Sequence, residues 1–135
     1  MSINEAYNAV KDFHKAFNHP YSDIPKLMDM ETATKRYTWM KEEIDEFIEA
    51  TENKDIYEQV DAMIDVIYFA LGTLVQIGVP PAEIFNIVQN ANMSKLWEDG
   101  KPRFRDIDGK VIKPPSWEDP HNKIIEAIKK IAMKG

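Results

Sequence analysis

Apolar positions along the chain recur mostly at helical spacing. Ile3, Ala6, Tyr7, Val10, Phe13 and Phe17 predict a first helix, opened by a capping box of Ser2 and Glu5 and closed near Asn18-His19-Pro20. A second helix is expected from about Glu31 to Glu52, with Ala33, Tyr37, Met40, Ile44, Phe47 and Ile48 on its apolar face. The third, from about Asp55 to Gly78, is apolar on nearly every side, so it must be surrounded by its own fold or by a second subunit. Gly78 marks its C-terminus, and Pro80-Pro81 opens a fourth helix that runs to about Leu96. Asp119-Pro120 start a last helix with an apolar stripe of Ile124, Ile125, Ile128 and Ile131.

Between the last two helices the pattern changes. Arg103 to Asp106 and Lys110 to Lys113 flank a turn with Asp108-Gly109 and predict a small β-hairpin. The expected fold is all-α: an antiparallel bundle of about five helices with a small C-terminal hairpin, forming one domain over 1–135.

Composition narrows the choices. The 44% hydrophobic content excludes a disordered chain. Cysteine is absent, which removes thiolate chemistry and suits a reducing cytoplasm. The N-terminus has charges through its apolar stretch, unlike a signal peptide. The run Val66–Leu74 is too short to span a bilayer, so no membrane association is expected. Net charge is −6, but residues 1–65 hold 15 acids and 7 bases (−8) and residues 66–135 hold 8 acids and 10 bases (+2). So acidic a chain is a poor duplex-DNA binder, and its first half suits a cation site.

Candidate chemistry lies in those acids. Glu42, Glu43 and Glu46 fall in an arc of about 100° bordering the apolar face of the second helix. Taken alone they read equally as a solvated acidic face. On the third helix, Glu58, Asp61 and Asp65 share an arc of roughly 60°, and the two aspartates sit within apolar sequence. A buried carboxylate requires a cationic partner, either a base or a metal ion. Residues 55–94 contain neither Lys nor Arg, which favours the metal. Two antiparallel helices carrying such clusters would form an all-oxygen cage, suited to Mg²⁺ or Mn²⁺. A di-iron site is disfavoured because Glu-x-x-His is missing.

Glu42-Glu43-x-x-Glu46 followed by Glu58-x-x-Asp61 resembles the motif pair of the all-α nucleoside triphosphate pyrophosphohydrolases. That group includes MazG proteins, phosphoribosyl-ATP pyrophosphohydrolases and dimeric dUTPases. Asp65 to Thr73 resembles the MazG-like helix that carries a further Asp, and Asn92-Met93-Ser94-Lys95 resembles that branch's N-x-S-K ending. The resemblance covers about Tyr37 to Leu96; outside the acids, no match to the phosphoribosyl-ATP enzymes is evident.

The resemblance implies Mg²⁺-dependent hydrolysis of a nucleoside triphosphate between its α and β phosphates, in nucleotide-pool house-cleaning. It implies that Glu42, Glu43, Glu46, Glu58 and Asp61, with Asp65 as a further member, hold metal or activate water. It sets Asn92 and Lys95 at the phosphate or sugar end of the substrate. Among hairpin bases, Arg103 and Arg105 are candidates to fold over phosphates. Trp39 and His14 are candidates for a nucleobase pocket, although Trp39 reads equally as core or dimer packing and His14 as a surface or boundary histidine, while periodicity puts Phe13 and Phe17 on the core face. A homodimer or homotetramer is expected. The rival reading is a catalytically silent helical interaction module that keeps an acidic cation site.

Overall fold

The computed structural model describes residues 1–134. It contains α1 (Ile3–Ala16), α2 (Met30–Glu52), α3 (Ile56–Ile77), α4 (Ala82–Met93) and α5 (His121–Lys134). Contacts divide the chain into a unit spanning Met1–Pro81 and another spanning Ala82–Lys134.

The first unit is built around α3, which packs against α1 and α2. The capping box forms as expected: the Ser2 hydroxyl accepts from the Glu5 backbone and the Glu5 carboxylate accepts from the Ser2 backbone. Tyr7 and Val10 of α1 meet Leu71 and Val75 of α3 in the buried core. A short turn joins α2 to α3 and makes them antiparallel. There Asp55 caps α3 by accepting from Tyr57 and Glu58, and the Gln59 amide donates to Thr51 at 2.8 Å.

The loop after α1 returns to the C-terminal end of α3. Ser22 and Lys26 backbone N–H groups donate to the carbonyls of Val75 and Ile77, which the ending helix leaves without partners. Gly78 terminates α3 in a left-handed conformation, φ +83°, where an added Cβ would strike the Ile24 carbonyl.

By length and composition alone α3 could cross a membrane, a point the shorter run Val66–Leu74 does not reveal. Its Ala62, Leu71 and Val75 are buried in the core. Val60, Ile64 and Ile67 are each more than half exposed, so one chain does not surround this helix. Phe13 and Phe17, expected in the core, are also exposed and lie with ring centroids 4.6 Å apart.

In the second unit α5 packs against α4, and Asp119 accepts from the His121 backbone where α5 begins. Trp117 donates to the Ala91 carbonyl at 2.7 Å, and Trp97 donates to the Ile112 carbonyl at 3.0 Å. The expected hairpin does not form: among the described residues there is only an isolated antiparallel bridge, Phe104 to Val111. Bonds from Arg105 to the Lys110 carbonyl and from Ile112 to the Arg103 carbonyl flank the bridge. Pro114 is the next residue whose N–H would face the partner strand, and it has no such donor, so the ladder does not grow outward. α4 ends at Met93, short of the expected Leu96.

Candidate active site

Helical spacing on α2 sets Arg36, Trp39, Glu43 and Glu46 along one stripe. The antiparallel α3 brings Asp65 beside Glu43 and, farther along, Phe69 and Thr73 beside Arg36. The groove between these helices therefore has an acidic end and a cationic end.

At the acidic end Glu43 is half-buried, and its Oε2 is buried with no hydrogen-bond partner. Burial, together with the carboxylates of Glu46 and Asp65, pushes the Glu43 carboxyl up from 4.5 to about 7. No base joins this group among the described ion pairs. A carboxylate oxygen held out of water and facing two more carboxylates from both helices has the donor chemistry of a hard-cation site.

The remaining acids are more open. Glu42, Glu46, Glu58 and Asp61 are exposed, and Asp65 is half-buried. Asp61, expected to be a buried carboxylate, is therefore not one: its neighbour Ala62 takes the buried position on α3. Among the described residues no three or more His, Asp or Glu side chains converge into a group that could hold a metal ion as they stand. Glu43, Glu46 and Asp65 are brought together electrostatically, while Glu58 and Asp61 extend the acidic face along α3.

At the cationic end Arg36 is only 5% exposed. Its Nε donates to Thr73 Oγ1 at 2.7 Å and Nη2 to the Phe69 carbonyl at 3.2 Å. Trp39 and Phe69 face it, with ring centroids 5.8 and 5.9 Å from Cζ. His14 is buried, which corrects its reading as a boundary histidine. Its Nδ1 lies 2.8 Å from the Pro20 carbonyl; a carbonyl only accepts, so Nδ1 carries the proton. Burial is the main cause that lowers the His14 pKa, and Arg36 adds to the effect.

Sequence reasoning missed Arg36, because a Lys-Arg pair on a helix looks like solvated surface. The available signal was Gly72, a glycine inside an apolar helix where propensity disfavours it.

Four further candidates lie in the second unit. Asn92 is exposed near the end of α4, and the Lys95 amine lies 5.8 Å from the Trp117 ring. Arg103 stacks on Trp97 at 3.9 Å, and Arg105 pairs with Asp108.

A profile of the phosphoribosyl-ATP pyrophosphohydrolase family matches residues 10–92, a span containing the whole α2–α3 groove. The chain belongs to this MazG-like family. The match starts within α1, well before the acids, which corrects the view that likeness to the phosphoribosyl-ATP enzymes stops at the acidic motifs. This family member is also similar to a provisionally assigned NTP pyrophosphohydrolase from Exiguobacterium sp. 255-15. The two are 31% identical, the alignment covers 96% of this chain and 98% of that one, and the TM-score is 0.56. A relative from Acanthamoeba polyphaga mimivirus, of uncharacterised function, is 26% identical over 102 residues, or 73% of this chain. The aligned stretch is 38% of that viral protein's length, so the chain spans well under half of the curated relative it matches.

Proposed function

We propose that this pyrophosphohydrolase-family chain hydrolyses a nucleoside triphosphate between the α and β phosphates, releasing a nucleoside monophosphate and pyrophosphate with Mg²⁺ as cofactor. The observation that carries the reading is Glu43: a buried, unpartnered carboxylate oxygen beside Glu46 and Asp65. Glu43, Glu46 and Asp65 would hold the metal, with Glu58 and Asp61 completing the acidic face. Mn²⁺ would serve in its place. When bound, Mg²⁺ supplies the positive charge that offsets the acids and the polyphosphate together.

The chain's own residues do the rest. Water attacks the α phosphorus, a new P–O bond forms, and the anhydride bond to the β phosphate breaks. A carboxylate of the Glu42-Glu43-x-x-Glu46 set that is free of metal takes the proton of the attacking water. Trp39 is a ring against which a base can stack, and Asn92, Lys95, Arg103 and Arg105 are candidates for the phosphate or sugar. His14 is less suited to contact substrate, because it is buried and its proton is committed to Pro20. The exposed row of Val60, Ile64 and Ile67 supports a homodimer or homotetramer as the working form.

The test is pyrophosphate release from a panel of ribo- and deoxyribonucleoside triphosphates, with Mg²⁺ and with chelator. Release that requires Mg²⁺ and vanishes in Glu43→Gln is expected. No release from any nucleotide would favour the silent interaction module instead.

A further inference from the structure

Arg36 is a buried cation whose charge nothing in the described chain neutralises. The guanidinium has five N–H donors, and the fold supplies acceptors for two of them, Thr73 Oγ1 and the Phe69 carbonyl. Both acceptors are neutral. Among the described residues no carboxylate forms an ion pair with Arg36. The faces of Trp39 and Phe69 compensate part of the desolvation, but a ring quadrupole is a weak substitute for a counter-ion.

The surroundings keep the charge in place. Gly72 leaves out the side chain that would strike Nη2, so the guanidinium can lie against α3. An adjoining cavity of about 220 Å³ is lined by Arg36, Lys35, His19, Thr32, Trp39 and Gln76, with no acid in its wall. Lys35 also reaches Glu31 at 3.7 Å, but at the exposed surface, where such a pair is weak. A built cavity with one buried arginine, a lysine and the neutral amide of Gln76 in its lining has the features of an oxyanion receptor.

We propose that this cavity binds a phosphate-class oxyanion at a site separate from the carboxylate cluster. Arg36 and Glu43 are seven residues apart on α2, about 10 Å along the helix, so one small anion cannot touch both. The anion places its oxygens on the free N–H groups of Arg36, with the Gln76 amide as a further donor. Two sources share this chemistry: a free phosphate ion and the phosphate of a nucleotide. The site stands whether or not the acidic end is catalytic.

The experiment is a thermal-shift and calorimetric titration of the full chain in chelator, at ionic strength matched with chloride. Inorganic phosphate and a nucleoside monophosphate are titrated separately. Wild type should gain melting temperature with one or both ligands, since binding to the native state stabilises it. Two variants report on the site. Arg36→Met removes the cation and keeps an apolar stem, while Gln76→Glu puts a carboxylate into the cavity wall with little change of shape. Each should weaken binding by about tenfold or more, the scale of a charged hydrogen bond. Should Arg36→Met fail to fold, Gln76→Glu still decides the matter. The chelator keeps metal from the acidic end, which separates this result from the fate of the hydrolase reading. Tighter binding of the monophosphate identifies a nucleotide phosphate as occupant, and equal or tighter binding of the inorganic ion identifies free phosphate. No binding by wild type, or binding unchanged in Gln76→Glu, would overturn the proposal.

Discussion

Gly72 and Arg36 are complementary: the missing side chain on α3 is the space that the guanidinium from α2 occupies. A Cβ at position 72 would collide with Arg36 Nη2 and lie 3.0 Å from His14 Nε2. Gly→Ala inside a helix ordinarily stabilises by about 0.5–1 kcal/mol. Here Gly72→Ala should do the reverse, costing about 1–3 kcal/mol, as an overpacked interior does. Denaturant unfolding checks the sign, and a gain in stability would contradict the close approach.

Glu43 makes the metal-free protein sensitive to pH. Its folded pKa, about 7, lies above the ordinary 4.5, so the native state holds this proton more tightly than the unfolded chain. Its stabilising contribution is fully present below about 4.5 and is lost as pH rises through about 7. In chelator, Glu43→Gln should melt at or above the wild-type temperature near pH 8 and show a flatter dependence between these values. Added Mg²⁺ should stabilise wild type more than the variant. Thermal melts across pH, with and without Mg²⁺, measure both effects.

His14 acts in the opposite direction. Its folded pKa is lowered from 6.5, chiefly by burial. The unfolded chain therefore takes up this proton first, and stability is lost as pH falls below about 6.5 toward the folded value. His14→Asn keeps a donor for the Pro20 carbonyl but does not titrate. Its acid-side loss of melting temperature should be smaller than that of wild type. Equal losses would mean that His14 is not the group responsible.

The open face of α3 gives a prediction about assembly. Val60, Ile64 and Ile67 are 55, 55 and 54% exposed, and burying such side chains yields about 25 cal/mol per Å². Sedimentation should show a dimer or tetramer for wild type. Ile64→Glu should shift it toward monomer while helical circular dichroism persists. A wild-type chain that stays monomeric at micromolar concentration would contradict the proposed assembly.

Lys54, in the turn between α2 and α3, has φ +55°, a left-handed conformation that a side chain disfavours. Lys54→Gly should stabilise the chain by about 0.5–1 kcal/mol after the entropy cost of glycine is subtracted. Chemical denaturation resolves a change of this size, and a loss of stability would show that the lysine side chain matters elsewhere.

Local rules written along the chain determined most of the helices. Ser2 with Glu5, Asp55, Gly78 and Asp119 act through neighbours within a few residues, so their positions announced where α1, α3 and α5 begin or end. Helical spacing likewise put Glu43 and Glu46 on one stripe and Asp61 and Asp65 on another. What tertiary structure decided is which members of each stripe lose water. Asp61 and Asp65 look alike in sequence, yet Asp61 is exposed and Asp65 is half-buried beside Glu43, because the crossing of α2 over α3 selects one turn and not the next. The hairpin failed for a related reason: polar-apolar pattern and a turn signal mark a strand pair, but a ladder also needs donors, and Pro114 lacks the next one beyond Phe104–Val111. Arg36 was hidden for the converse reason. Its burial depends on Gly72, 36 residues away, on Thr73 and on two aromatic faces, and no pattern within α2 encodes a space that α3 leaves open.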